Sequence, residues 1–255
     1  MDTKRLLQIT DTHLFADPHG RIRGAPTLPA LNACLAHAAH HYLPVDVVAA
    51  TGDLVQDDAD GYAPLGEALE QLSTPVLLIP GNHDRPAELR TRMDRFPFQV
   101  GGTFELGRWT VVMLETWYSQ ALDGEGLLGG AQLERLRAAL QADREKHVLV
   151  CMHHPPIAME SAGLDALGLL DADEFMRVID SHRNVRGIAW GHAHQSLDVY
   201  RGDLRLMCTP ATCMQFKPRD PGFVTDRRPP GYRVIELHAD GGIASEVVWL
   251  EGFEA

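Results

Sequence analysis

The sequence predicts an α/β fold with β-hairpins added towards its C-terminal end. Three observations predict it: five short apolar runs each end on a cluster of polar residues, helical patterns separate the runs, and after His194 the pattern changes to paired strands around tight turns. Runs of that length, rich in Val, Ile and Leu, suit strands buried on both faces of a sheet. Strand alternating with helix suits layered α/β packing.

The elements follow in order. Arg5 to Thr10 runs into Asp11-Thr12-His13, and Val45 to Ala50 runs into Gly52-Asp53. Pro75 to Ile79 leads to Gly81-Asn82-His83-Asp84, His147 to Met152 to His153-His154-Pro155, and Val185 to Trp190 to Gly191-His192-Ala193-His194. Between them, Leu28 to His40 has helical spacing behind Thr27, which reads as an N-cap. Tyr62 to Leu72, Ala131 to Ala142, and Asp173 to Ile179 entered from Asp171 are the other helices. Trp109 to Glu115 reads as a strand paired with Thr103 to Leu106. Leu197 to Tyr200 with Leu204 to Cys208 makes one hairpin around Arg201-Gly202-Asp203, and Tyr232 to Leu237 with Ile243 to Leu250 makes another. Pro210 to Gly231, rich in Pro and charge, reads as loop.

Composition narrows the classes. A chain of 255 residues, 45% hydrophobic and 23% charged, suits one domain spanning residues 1–255. A net charge of −12 argues against nucleic acid as partner, because such binding needs basic surface to neutralise phosphates. Cys34, Cys151, Cys208 and Cys213 lack CxxC spacing and read as free thiols of a reducing compartment. No apolar run approaches the ~18 residues of a membrane span. Leu6 to Ile9 already reads as a strand rather than part of a signal peptide. A cytoplasmic protein with no membrane partner is expected.

In α/β sheets, ligands bind outside the carboxyl ends of the strands, where all five polar clusters fall. Asp11, His13, Asp53, Asn82, His153, His192 and His194 offer mixed N and O donors without thiolate. That set favours Mn, Fe, Zn or Co over Ca or a structural zinc. Asp11 and His13 are two apart, as are His192 and His194, so in extended backbone each pair would face one side. Seven ligands exceed one ordinary shell; with one bridging carboxylate they divide into four for each of two divalent metals.

Together these motifs resemble the calcineurin-like metallophosphoesterase family, in family order from Asp11 to His194. The resemblance implies a four-layer β-sandwich flanked by helices. It also implies that Asp11, His13 and His194 hold one metal, that Asn82, His153 and His192 hold the other, and that Asp53 bridges. Leu7 to Phe15, Ala50 to Asp57, Gly191 to Gln195, Thr212 to Pro218 and Pro230 to Arg233 are similar to the bacterial class III 3′,5′-cyclic AMP phosphodiesterases. A small-molecule phosphodiester, cyclic AMP, is then the expected substrate and 5′-AMP the product. The implied substrate contacts are His13, Asp53, Asn82, His83 and His194, and the segment from Leu114 to Gly130 matches less well.

The expected chemistry is attack by a metal-bridging hydroxide, which forms readily near neutral pH. Two divalent ions, Asp11, Asp53 and one hydroxide sum to about +1, which suits a phosphodiester monoanion. His83 is expected as the general acid for the leaving alkoxide, with Asp84 orienting its ring. His154 reads as packing beside the ligands, with direct substrate contact as the alternative, and Asp57, Asp58 and Asp60 as a solvated loop. Glycerophosphodiesterase or promiscuous phosphodiesterase activity on the same site is the alternative, because loops outside the motifs choose the substrate. A nucleotide sensor without turnover is a further class, opposed by the presence of His83, since a sensor has no use for a proton donor.

Overall fold

The structure, a computed structural model, describes residues 3–253. Two six-stranded sheets form its centre. The first half of the chain gives β1 (Lys4–Ile9), β2 (Val47–Thr51), β3 (Val76–Ile79), β4 (Phe98–Val100), β5 (Gly102–Leu106) and β6 (Trp109–Met113). The second half gives β7 (His147–Cys151), β8 (Val185–Trp190), β9 (Leu197–Arg201), β10 (Leu204–Cys208), β11 (Gly231–Leu237) and β12 (Ile243–Trp249). One sheet has the order β12-β11-β1-β2-β3-β4 and the other β9-β10-β8-β7-β6-β5.

The strands β1-β2-β3-β4 run parallel in one sheet and β6-β7-β8-β10 in the other; antiparallel strands close one edge of the first sheet, whose other edge is the parallel β4, and both edges of the second. Parallel pairing needs crossovers, and helices supply most of them. These are α1 (Thr27–His41), α2 (Tyr62–Glu70), α3 (Pro86–Met93), α4 (Gly129–Ala142), α5 (Ala162–Ala166) and α6 (Ala172–Asp180).

Alternation along the strands builds the layers. Leu6, Val47, Ala49, Leu77 and Ile79 point inward and pack on Trp109, Val111, Met113, Leu149, Cys151 and Ala189 between the sheets. Leu7, Ile9, Val48 and Ala50 point outward and pack under Leu31, Leu35, Leu65 and Leu69 of α1 and α2. Val148, Val150, Ile188 and Trp190 do the same under Leu133, Leu136 and Leu140 of α4 and Phe175 of α6. The result is helix, sheet, sheet, helix: the four-layer sandwich, with both C-terminal hairpins present. Among the described residues no helix is long and apolar enough to cross a membrane.

Several local expectations are corrected. Thr27 is the first residue of α1 rather than its N-cap; Pro26 holds that place, and the Thr27 hydroxyl donates to Gly20 O. Asp171 does stand at the N-cap position of α6, as expected, but its carboxylate accepts from the Leu128 and Gly129 amides at the start of α4 instead of from α6. Helix α3 lacks a clear apolar stripe but starts on Pro86, a residue suited to a first helical position. The stretch from Pro210 to Gly231 carries a two-residue ribbon, Gln215–Phe216 with Thr225–Asp226.

Arg233 on β11 is fully buried and ties the two sheets. It donates to Asp198, Thr209 and Ser245 and to the carbonyls of Leu197 and Cys208. Removing it strands those carbonyls and opens a cavity. Arg233→Ala is expected to lower unfolding free energy by on the order of 3 kcal/mol. Arg201→Ala, which breaks a half-exposed pair with Asp180, should lose under about 1 kcal/mol. Urea unfolding of both variants checks this; equal losses would show that the buried network is not what joins the sheets.

Candidate metal centre

The C-terminal ends of five strands meet at one rim of the sandwich. Asp11 and His13 follow β1, Asp53 follows β2, Asn82 and His83 follow β3, His153 follows β7, and His192 and His194 follow β8. The structure brings all seven expected ligands together, in two groups that share Asp53. In the first, His13 Nε2 lies 3.1 Å from His194 Nε2, Asp11 Oδ1 lies 3.5 Å from His194 Nε2, and Asp53 Oδ2 lies 3.7 Å from His13 Nε2. In the second, Asn82 Oδ1 lies 3.2 Å from His153 Nε2 and 3.0 Å from His192 Nδ1, and Asp53 Oδ1 lies 3.4 Å from His153 Nε2.

The protons show what this cluster is built to hold. His194 Nδ1 donates to Met214 O at 2.7 Å, His153 Nδ1 to Thr51 O at 2.8 Å, and His13 Nδ1 to Gln56 Oε1 at 2.7 Å. A carbonyl only accepts, so each Nδ1 carries a proton and each neutral ring keeps a lone pair on Nε2. Those lone pairs face one another and the carboxylates in a buried space. Lone pairs at such distances repel unless a cation sits between them. The donors are N and O without thiolate, which fits divalent metal ions of borderline character. Among the described residues, every cluster of three or more His, Cys, Asp or Glu donors able to hold a metal lies in this one site.

Electrostatics agree. Burial lowers His13 to about 4 and holds His192 and His194 well below the usual histidine range, so these rings stay in the neutral form that metals bind. Burial lifts Asp11 to about 7. Burial opposes charge on Asp53 too, but the neighbouring His153 outweighs it and holds Asp53 well below the carboxylate range. His153 is itself lifted to about 9, because Asp53 outweighs the effect of burial. Without metal, a proton on His153 supplies the positive charge that the carboxylates demand.

The backbone is shaped for these contacts. Asp11, His13, Asp53, His192 and His194 have φ of 54°, 46°, 50°, 64° and 49°. The i, i+2 pairs therefore converge through left-handed turns, and not along extended strand as their spacing suggested. Such a conformation costs on the order of 1 kcal/mol per non-glycine residue and needs surrounding structure to hold it. Glycines precede the donors because a side chain would strike them. A Cβ on Gly81 would lie 2.3 Å from Asp53 Oδ1, and one on Gly191 would lie 2.7 Å from Asp11 Oδ2.

His83 lies at the edge of this cluster, and its amide donates to Asp53 Oδ1. Asp84 does not orient its ring. The Asp84 carboxylate turns inward and accepts from the amides of Leu54, Val55 and Gly81 and from the Tyr62 hydroxyl. Asp57, read from sequence as part of a solvated loop, takes the expected place, with its Oδ2 3.1 Å from His83 Nδ1. Burial works against a charged His83, but Asp53 and Asp57 outweigh it and raise its pKa. Nδ1 is thus engaged by Asp57, and His83 lines the cavity.

His154 is fully engaged elsewhere. Its Nε2 donates to Gly124 O at 3.0 Å, and its Nδ1 lies 2.7 Å from the Thr116 hydroxyl. Burial lowers its pKa to about 3, so the ring is neutral and its one lone pair is spent on Thr116. Cys213, read from the sequence only as a free thiol, donates its thiol to Asp11 O beneath the first group.

Above the donors opens a cavity of about 380 Å³, lined on the polar side by His13, Asp53, Gln56, Asn82, His83, Asp123, His192 and His194. Met214, Phe216 and Phe223 of the Pro210–Gly231 stretch form part of its wall, with Ile22, Arg23, Leu164 and Leu167. No motif marks those last four residues; only their place in the fold brings them there.

Residues 4–196 match the calcineurin-like phosphoesterase family, and the chain belongs to it. It is thus an enzyme of phosphoric ester hydrolysis, built around His and Asp clusters able to hold metal ions. Within the family it is similar to bacterial enzymes named 3′,5′-cyclic adenosine monophosphate phosphodiesterase CpdA. The one from Haemophilus influenzae is 36% identical over 98% of this chain and 91% of its own length. The one from Escherichia coli strain K12 is 36% identical over 95% and 88%. A dimetal phosphatase from Danio rerio shares the fold, with a TM-score of 0.67 at 14% identity over 96% of this chain and 98% of that one.

Two outcomes are expected. Metal entry must expel the proton that His153 keeps below about 9 and the one that Asp11 keeps below about 7. Metal affinity should therefore rise with pH from 6 to about 9, with proton release detectable in weak buffer. An affinity independent of pH would contradict the proton inventory. His153→Ala should also reduce bound metal, measured by elemental analysis, whereas His154→Ala should retain it. The reverse order would show that the Thr116 and Gly124 contacts do not define the role of His154.

Proposed function

We propose that this chain is a dinuclear metal-dependent phosphodiesterase that hydrolyses 3′,5′-cyclic AMP to 5′-AMP. The observation that carries the reading is the pair of facing donor groups sharing Asp53 at the floor of an open cavity, with His83 at its edge. Near full-length likeness to cyclic AMP phosphodiesterases supports the substrate. Asp11, His13 and His194 would hold one ion and Asn82, His153 and His192 the other, with Asp53 shared. Divalent Fe, Mn, Zn or Co suits these donors. When bound, such a pair of ions supplies Lewis acidity and a nucleophile from water near neutral pH.

The side chains supply the rest. With metal bound and its proton expelled, His153 would be neutral like His13, His192 and His194, leaving two carboxylates as the charge of the floor, and neutral Asn82 avoids a third that would repel a phosphodiester. His83 donates a proton to the leaving 3′-oxygen from Nε2, while Asp57 holds Nδ1 and fixes the tautomer. Met214, Phe216 and Phe223 support a role for the Pro210–Gly231 stretch in shaping the pocket. Residues 1–255 are read as one domain, since β11 and β12 complete the sheet that β1 begins. The buried free thiols Cys34, Cys151, Cys208 and Cys213 support a cytoplasmic setting.

Product analysis with cyclic AMP and glycerophosphodiesters tests the substrate; release of 5′-AMP in preference to glycerol phosphates is expected, and the opposite preference would overturn the reading. His83 is tested by leaving group. A ribose 3′-alkoxide leaves poorly unless protonated, whereas a nitrophenolate needs no help. His83→Ala should lower kcat/KM for cyclic AMP by about 10²–10⁴-fold and for bis(nitrophenyl) phosphate far less, at unchanged metal content. Equal losses, arising through KM, would make His83 a phosphate contact and not an acid.

A further inference from the structure

The hairpin between β1 and α1 has a feature that the hydrolytic chemistry leaves unused. Arg21–Ile22 pairs with Ala25–Pro26, and the two residues between them, Arg23 and Gly24, have φ of 46° and 89°. This is the geometry of a two-residue hairpin turn with positive φ at both positions, where Asn-Gly is the favoured pair. An arginine at the first position is disfavoured by its backbone, yet here it projects from the hairpin tip to the cavity. Its Nη1 donates to Phe223 O at 2.7 Å, and its guanidinium lies over the Phe216 ring, 5.2 Å from the centroid.

Phe216 in turn adjoins His194, with ring centroids 4.8 Å apart, and meets Phe223 edge-on at 5.5 Å. An aromatic wall thus begins at a residue of the polar floor and ends under the hairpin. Ile22, Leu164, Leu167 and Met214 line the same cavity with Arg23, while Asp123, beside the glycine that abuts Asn82, lines it from the side of the polar floor. A phosphoryl group has no use for such a surface. A flat aromatic ring carried a short distance from the phosphorus does, and arginine and phenylalanine both stack on the π-face that every nucleobase presents.

We propose that Arg23, Phe216 and Phe223 form the subsite for the nucleobase, and that it recognises the presence of a base and not its identity. The proposal rests on the phosphodiesterase reading above for the substrate's nucleotide character. Arg23, Phe216 and Phe223 meet a ring through its π-face and not its edge, and Asp123 lies on the side of the polar floor, so purine cyclic nucleotides are accepted alike.

The test separates base from phosphate. Competitive inhibition constants for 5′-AMP, 5′-GMP and ribose 5-phosphate are measured on the metal-loaded full chain, with bis(nitrophenyl) phosphate as reporter. Ribose 5-phosphate occupies only the phosphate end and serves as internal reference. For the wild type, 5′-AMP should bind about 10–100-fold more tightly than ribose 5-phosphate, as expected for one stacked base, with 5′-GMP within about tenfold of 5′-AMP. Arg23→Ala and Phe223→Ala, each on an outer loop, should shrink the ratio of AMP to ribose phosphate binding while the constant for ribose phosphate holds. A wild-type ratio near one, or a ratio unchanged in both variants, would overturn the subsite. A large preference for 5′-AMP over 5′-GMP would overturn its tolerance. Failure to hydrolyse cyclic AMP with the ratio intact would overturn the proposed reaction and leave the subsite standing.

Discussion

The rest of the site depends on one electrostatic constraint: buried lone pairs aimed at each other. His13 and His194 present Nε2 to Nε2 at 3.1 Å because carbonyl oxygens hold the proton on the far nitrogen of each ring. His153 is fixed the same way by Thr51 O. Such a cluster is unfavourable by itself, and positive charge is what makes it favourable. Protons supply some of that charge through His153 and Asp11, and metal ions supply more of it with better geometry. The free energy of ion binding is therefore also free energy of holding the surrounding loops in left-handed conformations that their residues would otherwise avoid.

The constraint also explains why the ligands are spread from Asp11 to His194. Each donor group draws on both sheets: Asp11 and His13 with His194 in the first, Asn82 with His153 and His192 in the second. Neither group exists until the sheets have docked. Hydrogen bonds cross the seam beside the site and fix the docking distance. Gln8 donates to Trp190 O and accepts from Thr209, and the His192 amide donates to the Asp11 carboxylate. The apolar contacts between Leu6, Val47 and Ala49 on one side and Leu149, Cys151 and Ala189 on the other set the same spacing from within. Core packing and site geometry are thus one problem, solved at the seam.

Much of this was legible in the sequence because strand ends and donors coincide. An apolar run followed by glycine and a donor marks both the end of a strand and the close approach that excludes a Cβ, as at Gly81 and Gly191. The helical stripes of α1, α2 and α4 were legible for the same local reason. Contacts between segments distant in sequence were not. Spacing of two suggested extended strand for Asp11 and His13, but left-handed φ is a tertiary outcome imposed by the donors' shared target. Arg23 and Leu164 reach the cavity through a hairpin and a short helix whose local sequences carry no chemistry. The four-layer arrangement came from resemblance, since periodicity alone gives strands and helices without saying that two sheets stack.

His83 and Asp84 show why adjacency in sequence misleads about partnership. The loop after β3 turns tightly, so consecutive side chains leave in different directions. Asp84 goes inward, where three amides and the Tyr62 hydroxyl converge on its carboxylate and clamp the loop carrying Asp53 to the loop carrying Asn82. Burial raises its pKa to about 6, yet those four donors pay for its charge and leave nothing over for a histidine ring. His83 goes outward, where it meets Asp57 from the loop after β2. The division of labour is physical: a carboxylate with four donors fixes backbone, while a carboxylate half open to solvent can follow a histidine as its proton comes and goes. A pair read as one catalytic unit is two devices, one that sets the distance between the loops carrying Asp53 and Asn82 and one that lines the cavity.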